Sequence, residues 1–203
     1  MKRIFILFVC ALICVGLYAA TPTAASILST MRSAMLAKPA IEAQFTINGG
    51  QGQVQGSILM SGSAFTMTTP QLKVWYDGKT QWTYLASTSE VSITEPTAEE
   101  LAASNPVAIL TSYDSHYKSR RLSDNNGRKR VELTPLAKDT GIENIVVITD
   151  AEGKWPQAIT VTFDDNRQIS LVIDHIAGIS KPAAHTFKYD PKLQRASEVI
   201  DLR

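Results

Sequence analysis

Histidine and cysteine, the side chains that most often hold a transition metal, are few in this chain: His116, His175, His185, Cys10 and Cys14. Asp174-His175 together with His185 is the best metal candidate by composition. Neighbouring residues of a strand point to opposite faces, however, so Asp174 and His175 would not converge on one ion. No two histidines stand at helical ligand spacing, and surface histidines are the simpler reading. No Gly-x-Ser-x-Gly elbow occurs, and no Ser-x-x-Lys is followed by the rest of its catalytic set. Gly49-Gly50-Gln51-Gly52 lacks the Lys-Ser/Thr that completes a phosphate loop and reads as a flexible hairpin. Glu95, Glu99 and Glu100 suit the positive end of a helix better than paired acid–base chemistry. The expectation is a protein with no catalytic residue, no metal and no cofactor.

The start of the chain sets the compartment. Met1-Lys2-Arg3 is basic, Ile4 to Leu17 is an apolar run, and Tyr18-Ala19-Ala20 precedes Thr21. This is the layout of a secretory signal peptide over residues 1–20, cleaved after Ala19 or Ala20. The run is shorter than the about 20 residues a membrane span needs, which disfavours an uncleaved anchor. Cys10 and Cys14 both lie within it, so the mature chain has no thiol for a disulfide, a metal or catalysis.

Of the 203 residues, 44% are hydrophobic and 19% charged, with a formal net charge of +1. Removal of Lys2 and Arg3 with the leader leaves 18 basic against 19 acidic residues. That near-neutral balance offers no footprint for nucleic acid or an anionic membrane surface. Residues 21–203 suit one domain with a sizeable core, and a monomer is expected.

Ala24, Ile27, Leu28, Met31, Ala34, Met35 and Ala37 recur at helical spacing until Pro39, which predicts an amphipathic helix of about three turns. Strand patterns follow at 41–47, 53–60, 64–68, 72–76, 80–85 and 90–94, separated by Asn48-Gly49-Gly50, Ser61-Gly62-Ser63, Pro70 and Asp77-Gly78. Links this short join antiparallel neighbours, because a parallel crossover needs a dozen or more residues. The spacing Thr97-x-x-Glu100 is that of a capping box, and Asn105-Pro106 is a second helix start, so two short helices are expected before residue 113. Strands resume at 117–122, 129–134, 143–148, 156–163, 168–173 and 185–189. The fold expected is mainly β (α+β): one strongly curved, unclosed antiparallel sheet covered by an N-terminal helix and a helical insert.

Large side chains gather along these strands. Phe45, Ile58, Phe65, Met67, Leu72, Val74, Trp75, Trp82, Tyr84, Val91 and Ile93 are the candidate lining of an apolar interior. Leu101, Pro106, Val107, Ile109 and Leu110 in the insert are the candidate cover. Spacing alone does not separate a filled core from a cavity.

Asp77-Gly78-Lys79-Thr80-Gln81-Trp82-Thr83-Tyr84, followed by Glu90-Val91-Ser92-Ile93, resembles the signature hairpin of the LolA family, the periplasmic carriers of outer-membrane lipoproteins. Asn105-Pro106-Val107-Ala108-Ile109-Leu110 is similar to that family's lid helix. Leu133-Thr134-Pro135 is similar to a strand end, Ile41-Glu42-Ala43-Gln44-Phe45-Thr46 to the strand after the first helix, and His185-Thr186-Phe187-Lys188-Tyr189 to the penultimate strand. The resemblance implies an unclosed β-barrel with a hydrophobic cavity under a helical lid. It also implies a soluble periplasmic carrier in a Gram-negative bacterium, shielding the acyl chains of lipoproteins. Its partners would be acylated lipoproteins, an inner-membrane lipoprotein-release transporter and an outer-membrane acceptor. A second reading on the same fold is an envelope sensor or structural module that binds lipid or unfolded peptide and signals through a partner protein. The family latches its lid with an arginine followed by proline after the second strand; here that stretch is Ser61-Gly62-Ser63-Ala64-Phe65.

Overall fold

A computed structural model describes residues 21–50, 52–97, 109–138 and 140–203. The first element is α1 (Ala24–Leu36). Thr23 caps it, its Oγ1 accepting from the Ser26 N–H at 3.1 Å, which satisfies one of the free donors of the first turn. Ala24, Ile27, Leu28, Met31 and Met35 form its buried stripe. The helix ends before Pro39, which cannot continue it.

Twelve strands follow among the described residues: β1 (Ala40–Gly49), β2 (Gly52–Ser61), β3 (Ala64–Thr68), β4 (Leu72–Tyr76), β5 (Gln81–Leu85), β6 (Glu90–Thr94), β7 (Tyr117–Asn125), β8 (Arg128–Pro135), β9 (Ile142–Thr149), β10 (Pro156–Phe163), β11 (Gln168–Ile179) and β12 (Glu198–Asp201). They make one curved, unclosed sheet in the order β12-β6-β5-β4-β3-β2-β1-β11-β10-β9-β8-β7. Each hairpin turn is set by its residues. Asn126 and Gly127 both take positive φ (49° and 74°), the geometry that matches the twist of β7 and β8. Asp77 Oδ1 accepts from the N–H groups of Lys79 (3.1 Å) and Thr80 (2.9 Å) and folds the β4–β5 link around Gly78.

α1 lies against β7 and β8 on the concave side. Its start is tied to β7 by Arg121, whose guanidinium donates to the Pro22 carbonyl at 2.7 Å. Another helix, α2 (Ile109–His116), precedes β7 and meets α1 through Arg32 and Asp114, 3.3 Å apart. The core is one cluster in which Ile27, Leu28 and Met31 of α1 meet Val131, Leu133, Ile145, Val147 and Ile159 of the sheet.

The β1–β11 ladder contains one irregularity with a large effect. Gln44 pairs with His175 and Phe45 with Ile173, so Asp174 is the extra residue of a bulge. A strand alternates faces at every residue, so an unbulged β11 could not place both Ile173 and Ile176 inside. The bulge resets the phase, and Phe45, Ala43 and Ile41 of β1 oppose Ile173, Ile176 and Gly178. The displaced Asp174 carboxylate accepts from Thr46 Oγ1 at 2.7 Å.

One expected strand needs correction. Residues 185–189 are not a strand: Ala184–Phe187 form a 3₁₀ turn, with Thr186 N–H donating to the Ala183 carbonyl and Lys188 N–H to that of His185. These local bonds follow Pro182 and turn the chain so that Phe187 is buried, next to β3. The twelfth strand lies instead at Glu198–Asp201, parallel to β6. The expected starts at Thr97–Glu100 and Asn105-Pro106 fall wholly or partly outside the described residues.

Candidate functional site

Directly paired residues of an antiparallel ladder share a face, so the register decides which candidate residues meet. One row crosses the concave face as Val74, Met67, Ile58, Ala43 and Ile176, and the next as Tyr76, Phe65, Met60 and Ile41. Phe65 and Tyr76 rings lie 5.5 Å apart at 41°. Phe45 packs over Gly56, where an added Cβ would lie 2.5 Å from the ring. Phe45, Ile58 and Phe65 are each 2% exposed and Val74 4%. Met67 and Leu72 are half-buried against the same cluster, as are Ile47 and Met60. Six of the expected lining residues therefore come together: Phe45, Ile58, Phe65, Met67, Leu72 and Val74.

The other five do not join them. Trp75 pairs with Trp82, Trp82 with Ile93, and Tyr84 with Val91. Trp75 alternates with Val74 and Tyr76, so this whole set stands on the convex face. Bulk and apolarity mark a side chain for burial but carry no sign for the face. Here the C-terminal segment supplies cover. Tyr189 meets Trp75 edge to face, with centroids 5.6 Å apart and planes at 66°. Lys73 Nζ stands 4.9 Å from the Trp75 ring centroid. Lys188 Nζ lies 3.4 Å from Asp77 Oδ2, and Ser197 N–H donates to the Ser89 carbonyl at 2.7 Å. Burial, Asp190 and Tyr84 together raise the Tyr189 phenol above its ordinary value.

Sequence reasoning passed over Ile41, Ala43, Ile47, Met60 and Ile176 on the concave face. The period-two run Ile41, Ala43, Phe45, Ile47 carried the signal for the β1 residues, while Ile176 was hidden behind the bulge.

Of the expected cover, Ile109 and Leu110 fall in the first turn of α2, and Leu101, Pro106 and Val107 lie outside the described residues. In the Ser61–Phe65 stretch, which departs from the family's arginine, Ser61 Oγ donates to the Pro39 carbonyl at 2.8 Å, tying β2 to the link between α1 and β1. His116 ends α2, His175 sits on β11 and His185 in the 3₁₀ turn, all exposed. Among the described residues no group of three His, Cys, Asp or Glu side chains could hold a metal ion.

Residues 18–164 match the model of the family described as outer membrane lipoprotein carrier protein LolA. The chain belongs to the LolA family. No curated protein matches it. Among solved structures it is similar to an uncharacterized conserved protein from Thermus thermophilus, at TM-score 0.63 and 10% identity over 88% of this chain and 98% of that one. It is also similar to a DUF1329 family protein from Desulfovibrio piger, at TM-score 0.51 and 9% identity over 86% of this chain and 100% of that one. These two likenesses concern the fold. In this LolA-family chain the sheet stays unclosed around the apolar face described above.

Proposed function

We propose that this chain carries lipid-anchored proteins across the aqueous space of a Gram-negative envelope. In this reading residues 1–20 direct export and are removed, and the mature chain takes acylated lipoproteins from an inner-membrane transporter to an outer-membrane acceptor. The observation that carries the reading is the continuous apolar row Val74–Met67–Ile58–Ala43–Ile176 on the concave face of a LolA-family sheet.

The energetics favour such a surface. An acyl chain in water costs about 0.8 kcal/mol per exposed methylene, so a diacyl or triacyl anchor does not leave a bilayer unaided. A carrier must cover much of that surface and still release it. The half-buried rim of Ile47, Met60, Met67 and Leu72 is suited to this. Two of the four are methionines, whose flexible thioethers repack at little cost. Apolar contact without ion pairs or covalent bonds also keeps exchange fast.

The test is direct. The mature protein, purified from envelope extracts, is expected to contain acyl lipid by mass spectrometry and to bind a fatty-acyl fluorophore saturably. N-terminal sequencing should begin at Ala20 or Thr21. A leader-free protein that neither co-purifies with lipid nor binds the fluorophore refutes the carrier reading.

A further inference from the structure

The concave face changes character between β4 and β5. On β4 it presents Leu72, Val74 and Tyr76; opposite Val74 and Tyr76 on β5 stand Thr83 and Gln81. Thr83 in turn faces Ser92 of β6, and Gln81 faces Thr94. Four adjoining hydroxyl and amide side chains thus line the side of the apolar floor, all of them half-buried. The large residues that would have continued the floor, Trp82, Tyr84, Val91 and Ile93, occupy the convex face of the same strands. An antiparallel sheet that packs one face normally turns its polar residues to solvent on the other. On β5 and β6 that arrangement is inverted.

The Gln81 amide donates from Nε2 to Thr83 Oγ1 at 3.2 Å, while its Oε1 is buried and has no partner among the described residues. A buried acceptor left open carries a desolvation cost that a ligand donor would relieve. A hydrocarbon chain has no donor to offer. Turning the amide end for end would present Nε2 instead and call for an acceptor. A secondary amide supplies an N–H and a carbonyl side by side and so fits either orientation.

We infer that Gln81, Thr83, Ser92 and Thr94 form a subsite for an acyl amide: the chain lies on the apolar floor of β1–β4, and the amide that joins it to the rest of the ligand meets the Gln81–Thr83 pair. This rests on the acyl-carrier reading above and adds to it a preference for the linker. The ligand class is an acyl chain joined through an amide to a polar body, in preference to a chain joined through an ether.

The experiment compares N-palmitoylethanolamine with its chain-matched ether, 2-(hexadecyloxy)ethanol, each displacing a fatty-acyl fluorophore from the mature protein. The wild type is expected to bind the amide about tenfold more tightly than the ether, the scale of one or two net hydrogen bonds. Gln81→Met should abolish that preference and leave the ether unchanged, and Thr83→Val, close in shape, should remove part of it. Equal affinity of the wild type for both probes overturns the inference, as does an equal loss for both in Gln81→Met. The comparison of probes on the wild type needs no variant to fold. Binding of neither probe refutes the carrier reading and the subsite with it, whereas normal ether binding without amide preference overturns the subsite alone.

Discussion

Tyr189, from the segment that follows the 3₁₀ turn, stands edge to face against Trp75 of β4, with ring centroids 5.6 Å apart. The contact places the C-terminal segment on the convex face, over strands whose own large side chains point there. An aromatic pair of this geometry contributes about 0.5–1.5 kcal/mol beyond the area it buries. Tyr189→Ala is therefore expected to cost about 2 kcal/mol in urea unfolding and to shift tryptophan emission to the red as Trp75 gains solvent. An unchanged emission maximum would mean that the segment does not cover Trp75 in solution.

Gly56 is fixed by what lies above it. A Cβ there would stand 2.5 and 2.7 Å from the Phe45 ring and 2.8 Å from the Thr68 carbonyl oxygen. Gly56→Ala should destabilise by about 1–3 kcal/mol through overpacking. Adding Phe45→Leu should recover only part of this, because the Thr68 contact is backbone. Full recovery in a double-mutant cycle would place the whole clash on the ring.

The two faces of β3–β5 should separate in a binding assay. Met67→Gln and Leu72→Gln put amides on the concave rim and are expected to weaken a fatty-acyl fluorophore several-fold, about 1 kcal/mol or more each. Trp82→Gln, on the convex face, should leave the affinity unchanged while lowering stability. Loss of binding in Trp82→Gln with none in Met67→Gln would place the ligand on the other side of the sheet.

Asp77 gives a defined pH response. Burial pushes its carboxyl up, but the N–H groups of Thr80 and Lys79 and the Lys188 ammonium outweigh burial and hold it below the ordinary carboxylate value. A carboxyl lowered on folding adds stability that is complete above its unfolded value of about 3.9 and disappears as pH falls through its lower folded value. The denaturation midpoint should drop as pH is taken below about 4. Asp77→Asn keeps an acceptor for the turn but loses the charge, so its midpoint should drop less over the same range. Parallel curves for the two proteins would show that Asp77 is not responsible.

α1 offers a packing control. Leu28 is fully buried against the sheet and Leu36 is 63% exposed. Leu28→Ala should cost about 2–5 kcal/mol and Leu36→Ala close to nothing in chemical denaturation.

The sequence by itself determined the order and ends of most elements, because those depend on short-range chemistry. Thr23, Pro39, Asp77-Gly78 and Asn126-Gly127 act within a few residues of themselves, and β3, β4, β6 and β10 run over the residue ranges their patterns predict. Strand backbone at β4 and β5, and with it a period of two, was equally visible. The tertiary structure alone decided its sign: Val74 and Trp75 are both apolar, and only pairing with Met67 on one side and cover by Tyr189 on the other assigns them to opposite faces. The bulge at Asp174 exists because β1 must keep Ala43 and Phe45 inside, a demand made by a different strand. β12 pairs with β6 through a parallel ladder whose partners lie about a hundred residues apart, so no local pattern in Glu198–Asp201 announces it. The polar strip of Gln81 and Thr83 likewise gains its meaning only beside Tyr76 and Val74. Local sequence sets which backbone forms; long-range burial sets which way it faces.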